Sequence, residues 1–393
     1  MNLKIFKNNA KLVLTKRFII LLYVLLALIT GVKQYTKGSY NNYLIFKQTF
    51  WHSVQQSPLY EQYPEEYKDT NHYGPTFALI IAPFALLPDS IGTSLWNIAQ
   101  SLLLCAGIFS LPLPLKHRSF IALISAHEAL TAMFSYQFNV GLTGLILLSF
   151  SFIIKQKEIR SAVLVALGTL VKLYGIVGLA FFFFSKRKAI FIIAGIVTMI
   201  MLSVSPVILS SPDFLAQSYQ DWYSSLSEKN ALNASLVSMQ DISLMGIVRR
   251  IAQNPHIPNS PFLAVGLLIF ALPYLRIRQY KYPAFQMLLL ASVLIFTVIF
   301  SSGSESPTYV IAFTGVAIWF MLQPPPKSRF VTALSIFAFL LTSMSASVLF
   351  PRIIREEFVR PYSLKALPCV LIWFTIVYQM LTIDFKHHQL SVI

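Results

Sequence analysis

The chain has 393 residues, of which 56% are hydrophobic and 12% are charged, and its mean hydropathy is +0.65. Soluble domains carry about 25% charged residues, so the composition excludes an ordinary soluble protein and predicts an all-α polytopic membrane protein. The net charge of +16 does not indicate nucleic-acid binding, because the basic residues cluster in short links between apolar segments, where they set topology and contact lipid headgroups.

The N-terminal part of the chain predicts a cytoplasmic leader and a first membrane helix over residues 18–33. Basic residues mark the cytoplasmic end of a span. Here they are Lys4, Lys7, Lys11, Lys16 and Arg17. Residues 34–93 then form the predicted first outer loop. Within it, residues 41–56 have the pattern of an interfacial helix. The apolar run 75–88 has about 14 residues, too few to span, and predicts a juxtamembrane or re-entrant helix.

The rest of the chain alternates apolar segments with short basic links. This pattern predicts about twelve transmembrane helices in total, with both chain ends in the cytoplasm. Residues 161–184 are too short for two full crossings, so they predict a short helix pair that turns at residues 172–175. Residues 210–261 form the predicted second outer loop. We therefore expect residues 1–393 to form a single integral membrane domain.

Carboxylates on the predicted outer face are the candidates for catalysis. Glu305 lies in the polar run 301–307 between two apolar segments, where a carboxylate is costly unless it faces water or a partner. We predict Glu305 as the first choice for a catalytic base and Asp69 as the second. Glu128, about mid-helix, is predicted to be a binding or structural partner. The alternatives are that Glu305 serves a helix start and that Asp69 is a solvated loop charge.

Cationic and polar groups on the same face are predicted to bind substrate. Lys172 and Arg352 are candidates for a phosphate, because an ammonium or guanidinium binds it well, although Lys172 also has the option of snorkelling to an interface. The other predicted binding residues are Asn139, Gln137, Tyr174, Asn42 and Tyr73. Motifs for a P-loop, a dinucleotide or a metalloprotease zinc are absent from the sequence. We predict no cofactor and no metal site, and the loop acids leave a divalent cation open.

Several short motifs follow one another in the order and spacing of a known family. They are Ser39–Leu44, Ser57–Tyr60, Tyr73–Ala78, Leu87–Pro88, Gln137–Asn139 and Lys172–Gly175. Over about residues 35–190, and more weakly beyond, the chain resembles glycosyltransferase family 87 of the membrane-embedded C superfamily. The resemblance implies a fold of that superfamily in the plasma (inner) membrane. It also implies transfer of a hexose, typically mannose, from a polyprenyl-phosphate sugar to a glycan or glycolipid acceptor on the extracytoplasmic face.

The chain departs from the superfamily at Asn41 and Asn42, where members usually place an acid. An amide cannot act as a base, so the catalytic carboxylate must come from elsewhere or the activity is altered. A lipid-linked glycan flippase or transporter, an outer-face glycan polymerase or ligase, and an inactive scaffold therefore stay open. A flippase needs polar groups through both leaflets, whereas the polar groups here gather on one side, which favours an enzyme.

Overall fold

The computed structural model describes residues 15–238 and 240–386. Over those ranges the chain is helical and contains no strand, which confirms the predicted all-α class. The part of the predicted leader that holds Lys4, Lys7 and Lys11 lies outside the described residues.

The helices follow one another with short connections. Up to residue 233 they are α1 Lys16–Thr36, α2 Asn41–Gln55, α3 Phe77–Ala85, α4 Asp89–Ser110, α5 Leu115–Phe134, α6 Asn139–Ile154, α7 Glu158–Val171, the 3₁₀ helix Leu173–Phe184, α8 Lys188–Val204 with the 3₁₀ turn Ser205–Ile208, and α9 Pro212–Asn233. Beyond it they are α10 Leu244–Ile251, α11 Ser260–Ala271 with the 3₁₀ turns Leu272–Leu275 and Ile277–Gln279, α12 Pro283–Ile299, the 3₁₀ turn Ser306–Thr308, α13 Tyr309–Leu322, α14 Arg329–Phe337 with the π-helix Ala338–Ser343 and the 3₁₀ turn Met344–Ala346, α15 Arg352–Ile354 with the π-helix Arg355–Val359, the 3₁₀ turn Leu364–Ala366, and α16 Leu367–Thr382.

Packing divides the chain into two compact units, and each is described by itself. The N-terminal unit comprises Ile20–Leu111 and Ala132–Lys229, and the C-terminal unit comprises the described residues within Met1–Ile19, Pro112–Thr131 and Asn230–Ile393. The single integral membrane domain over residues 1–393 stays a prediction.

Five helices among the described residues are long and apolar enough to cross a membrane. They are Lys16–Thr36, Asp89–Ser110, Lys188–Ile208, Arg329–Ala346 and Leu364–Thr382. Shorter apolar helices of 10–17 residues accompany them, such as Pro283–Ile299 and Ser306–Leu322. A straight crossing takes about 20 residues, so length and composition confirm a membrane protein but not the predicted twelve spans.

The predicted first outer loop contains two short helices, α2 and α3, as the sequence indicated. They pack on each other through aromatic side chains: the Phe46 ring lies edge-on to Phe77, with centroids 5.0 Å apart. The Tyr43 hydroxyl also donates to the Phe84 carbonyl at 2.9 Å. At nine residues, α3 is too short to span.

A short antiparallel helix pair follows α6, and it turns at Lys172 as predicted from its length. Its first arm is α7 and its second arm is the 3₁₀ helix Leu173–Phe184. Glycines set the separation of the arms, because a Cβ built on Gly175 would lie 2.1 Å from the backbone carbon of Gly168. Glycines at such contacts let two helix backbones approach closely.

Replacing Gly175 by Ala is expected to lower the free energy of unfolding by about 1–3 kcal/mol, because an added methyl forces backbone shifts in a packed interior. The control is Gly195→Ala in α8, whose added Cβ would meet nothing nearer than the Ala162 Cβ at 4.0 Å. Thermal unfolding in detergent compares the two variants with the wild type. A Gly175→Ala protein as stable as Gly195→Ala would contradict the close contact.

The predicted second outer loop is largely helical, through α9 and α10. Ser243 caps α10 by accepting a hydrogen bond from the Gly246 N–H at 3.0 Å. The buried carboxylate of Asp241 accepts from that serine hydroxyl at 2.6 Å and pairs with the Arg249 guanidinium at 2.6 Å. This buried pair anchors the segment before α10 within the C-terminal unit.

Candidate functional site

Lys172 lies where α7 ends, at the turn of the short helix pair. Its backbone is extended (φ −150°, ψ 122°), so the helix stops before it. The half-buried Nζ donates to Oδ1 of Asn139 at 2.8 Å. The same ammonium lies over the rings of Tyr73 and Tyr174, 5.6 Å and 5.2 Å from their centroids. These three contacts of the ammonium are all with neutral groups.

The start of α6 holds the amides beside that lysine. Asn139 is buried at the first position of α6, and its Nδ2 donates to Oε1 of Gln137 at 2.7 Å. The Phe138 N–H donates to the Tyr73 hydroxyl at 3.1 Å. The structure therefore brings together five of the predicted binding residues, which we call the Lys172 cluster: Tyr73, Gln137, Asn139, Lys172 and Tyr174.

The amides at positions 41 and 42 fasten loops of the N-terminal unit. Asn41 Nδ2 donates to the Lys68 carbonyl at 2.6 Å, and its Oδ1 accepts from the Lys68 N–H at 2.7 Å. Asn42 Nδ2 donates to the Ser135 carbonyl at 2.8 Å. Both residues use an N–H donor that a carboxylate lacks. The two bonds donated by Nδ2 are ones that a carboxylate would not make.

Asp69 lies on the exposed part of the same loop, at a left-handed backbone position (φ 74°). Its carboxylate oxygens lie 3.5 Å from Lys229 Nζ and 3.9 Å from His72 Nε2. The other ring nitrogen of His72 shares a hydrogen bond with the Ser225 hydroxyl at 2.8 Å. Burial lowers the pKa of His72 to about 4. The positive charges of Lys229 and Lys172 also lower this pKa, whereas the negative charge of Asp69 raises it. The imidazole is therefore neutral at pH 7.

Glu305 lies in the C-terminal unit, at the entrance to α13. It is half-buried and stands at the N-cap of the 3₁₀ turn Ser306–Thr308. Its backbone N–H bonds to the Thr308 hydroxyl at 3.3 Å, and the two residues form a reciprocal capping box. The capping role that the sequence left open for Glu305 is thus present.

Glu128 is fully buried in the same unit and pairs with a lysine. Lys365 Nζ lies 3.2 Å and 3.1 Å from its two carboxylate oxygens. The same Nζ donates to the Ser306 hydroxyl at 2.9 Å and lies over the Tyr309 ring, 5.0 Å from its centroid. The sequence predicted Glu128 as a binding or structural partner, and an ion pair is the role its geometry fits.

Arg352 is exposed at the start of α15 in the C-terminal unit. Among the described residues no group of three or more His, Cys, Asp or Glu side chains is arranged to hold a metal ion.

A family model supplies the deciding comparison. The model described as glycosyltransferase family 87 matches residues 71–302, more than half of the chain. The chain belongs to glycosyltransferase family 87. A comparison with curated proteins finds no match. Family 87 membership confirms the resemblance suggested by the motifs and makes the protein a membrane glycosyltransferase.

The family 87 match covers the Lys172 cluster completely. Asp69 lies just before the matched range, and Glu305 and Lys365 lie after it. The site roles of the Lys172 cluster and of the carboxylates stay predictions.

Sequence reasoning on this family 87 chain missed Lys365. In the sequence, Lys365 belongs to a loop of mixed charge that follows α14, which indicates a solvated side chain. In the structure its side chain is only 5% exposed. One signal was available: Glu128 lies inside an apolar helix, and a buried carboxylate requires a cationic partner. Lys365 lies directly before the last apolar helix and is the basic residue that pairs with this carboxylate.

Proposed function

We propose that this family 87 glycosyltransferase moves a hexose, specifically mannose, from a polyprenyl-phosphate sugar to a glycan or glycolipid acceptor on the extracytoplasmic face. The observation that carries the proposal is the Lys172 ammonium, held by neutral groups at the turn of the helix pair. An ammonium is a point charge that binds an anionic ligand such as the donor phosphate. The donor, the sugar and the side of the membrane come from the motif resemblance and the basic links.

Transfer requires a group that stabilises the leaving phosphate. The acceptor oxygen forms a bond to the anomeric carbon of the sugar while the bond from that carbon to the phosphate oxygen breaks. The phosphate departs with the bonding electrons, and Lys172 stabilises the charge that it gains. Gln137, Tyr174 and Tyr73 supply hydrogen-bonding groups for the sugar hydroxyls. Arg352, exposed in the C-terminal unit, is the second candidate for the phosphate.

The acceptor hydroxyl must also lose its proton to a base. We propose Glu305 for this role, with Asp69 as the alternative. A carboxylate at a helix start combines a fixed backbone with a lone pair that accepts protons. Asn42 is assigned to holding the loop that leads to Gln137, and Glu128 to pairing with Lys365.

The test is release of polyprenyl phosphate from radiolabelled polyprenyl-phosphate mannose by the purified protein in nanodiscs. The proposal expects release that depends on an added glycan or glycolipid acceptor. The same donor carrying glucose is the matched substrate control. Absence of both binding and release would reject the donor assignment, and transport of the intact donor across a bilayer would support the flippase alternative.

Replacing Glu305 by Gln is expected to lower kcat by about 100- to 10,000-fold, the usual contribution of a general base. The variant keeps an amide oxygen of similar size for the capping box, so folding is retained. Asp69→Asn is the paired variant, with a change of less than about tenfold expected. The reverse ranking would assign the base to Asp69, and near-normal kcat for Glu305→Gln would show that Glu305 is not the base.

A further inference from the structure

The loop that carries Glu305 is fastened to its surroundings through hydroxyl side chains. Ser302 Oγ donates to Oδ1 of Asn230 at 2.5 Å. Ser304 Oγ donates to the Val298 carbonyl at 2.6 Å. Each bond ties the loop to a different segment of the C-terminal unit, so the path of the backbone on the N-terminal side of Glu305 is fixed.

On the other side of Glu305, the fixing contact comes from a buried charge. Ser306 Oγ accepts a hydrogen bond from Lys365 Nζ at 2.9 Å. That ammonium is itself held by the Glu128 carboxylate, which is fully buried. A hydrogen bond from a charged donor is stronger than a neutral one and has a shorter donor–acceptor distance. Lys365 therefore fixes the residue that directly follows Glu305.

The backbone of Lys365 is held as firmly as its side chain. The Thr342 hydroxyl donates to the Lys365 carbonyl at 2.8 Å. Thr342 belongs to the π-helix Ala338–Ser343, and the hydroxyl of Ser343 shares a hydrogen bond with His127 Nδ1 at 3.0 Å. Short π segments inside longer helices redirect side chains and occur often at functional sites. Here the π-helix presents two successive hydroxyls to the residues at and beside the buried ion pair.

We propose that Lys365 is a positioning residue for Glu305, acting through the Ser306 hydroxyl and held in place by Glu128. This inference rests on the proposed role of Glu305 as base. Lys365 is only 4% exposed and Glu128 is 0% exposed. Neither side chain is therefore placed to touch a substrate, and their effect passes through the loop. A buried ion pair is weak evidence for a purely stabilising role, because desolvation offsets most of its attraction.

The test removes the link while leaving the ion pair intact. Ser306→Ala deletes the hydroxyl, and Ser306→Thr restores one at the same position. Ser306→Ala is expected to lower kcat for polyprenyl-phosphate mannose by about 10- to 100-fold, because small misplacements of a catalytic group cost that much. The donor KM stays the same, and Ser306→Thr recovers most of the loss. Thermal unfolding checks that each variant is folded at the assay temperature.

A second readout does not depend on the donor. The rate at which a water-soluble carbodiimide labels Glu305, measured by peptide mass spectrometry, is expected to change by about 2- to 10-fold in Ser306→Ala, as one hydrogen bond allows. Ser306→Thr is expected to label at the wild-type rate. Wild-type kcat or wild-type labelling in Ser306→Ala would overturn the proposal. If the wild type fails to use the donor while the labelling difference persists, only the donor assignment falls.

Discussion

Replacing Lys172 by Met is expected to lower kcat/KM for polyprenyl-phosphate mannose by about 100- to 1000-fold, as removal of one electrostatic stabiliser of a developing charge does. Met keeps the length of the side chain and its contacts with the rings of Tyr73 and Tyr174. The loss is expected mainly in kcat, since the charge on the phosphate grows as the bond to the sugar breaks. Release of polyprenyl phosphate in nanodiscs measures it.

Two matched variants make this result specific. Lys186→Met removes an exposed lysine near the other end of the same helix pair and is expected to have wild-type kinetics. Asn139→Asp keeps Lys172 but places a carboxylate where the neutral amide oxygen now lies at 2.8 Å. We expect a loss close to that of Lys172→Met, because the new charge cancels the ammonium. Full activity in both Lys172→Met and Asn139→Asp would remove Lys172 from the reaction.

Replacing Lys365 by Met is expected to lower the free energy of unfolding by about 3–5 kcal/mol, because it leaves a buried carboxylate without its cation. Glu128 is completely buried, and the described contacts of its carboxylate are those with Lys365 Nζ. Unfolding in detergent with increasing denaturant measures the loss. Lys281→Met, at an exposed lysine in the same unit, is the control and should change stability little.

The double variant Glu128→Gln with Lys365→Met shows whether the stability lost in Lys365→Met comes from the unpaired buried charge or from the lost packing of the lysine side chain. Removing both charges is expected to recover most of the lost stability, since a buried pair replaced by neutral groups of similar volume is often neutral or stabilising. Equal destabilisation in the single and double variants would mean that packing by the lysine stem, and not its charge, holds this region together.

The elements that depend on local pattern were predictable from the sequence. The helix α2 follows from its interfacial pattern of apolar and polar residues. The short helix α3 and the helix pair at Lys172 follow from the length of apolar runs against the thickness of a bilayer. The five residues of the Lys172 cluster were predicted as substrate-binding residues because the predicted topology gathers their polar groups on one face of the membrane. The twelve spans stay a prediction, because only five of the described helices are long and apolar enough to cross a membrane and the other apolar helices are shorter.

The sequence indicates that Glu128 needs a cationic partner, but it does not identify which basic residue that partner is. Glu128 and Lys365 are separated by 237 positions, and nothing in the local pattern around either residue identifies the other. The buried pair of Asp241 and Arg249, eight residues apart, was not among the predictions. The capping box at Glu305 depends on a hydroxyl three residues later, so it was readable only as one of two alternatives.

The hydrogen bonds of the two asparagines at the start of α2 limit which side chains those positions accept. Asn42 donates to the carbonyl of Ser135, and an aspartate there would set a negative oxygen against that carbonyl oxygen. An aspartate at position 42 would therefore lose the hydrogen bond that holds the segment leading to Gln137. The path of the loop and the identity of residue 42 are therefore linked, because an aspartate placed there as a base would weaken the support of the neighbouring segment.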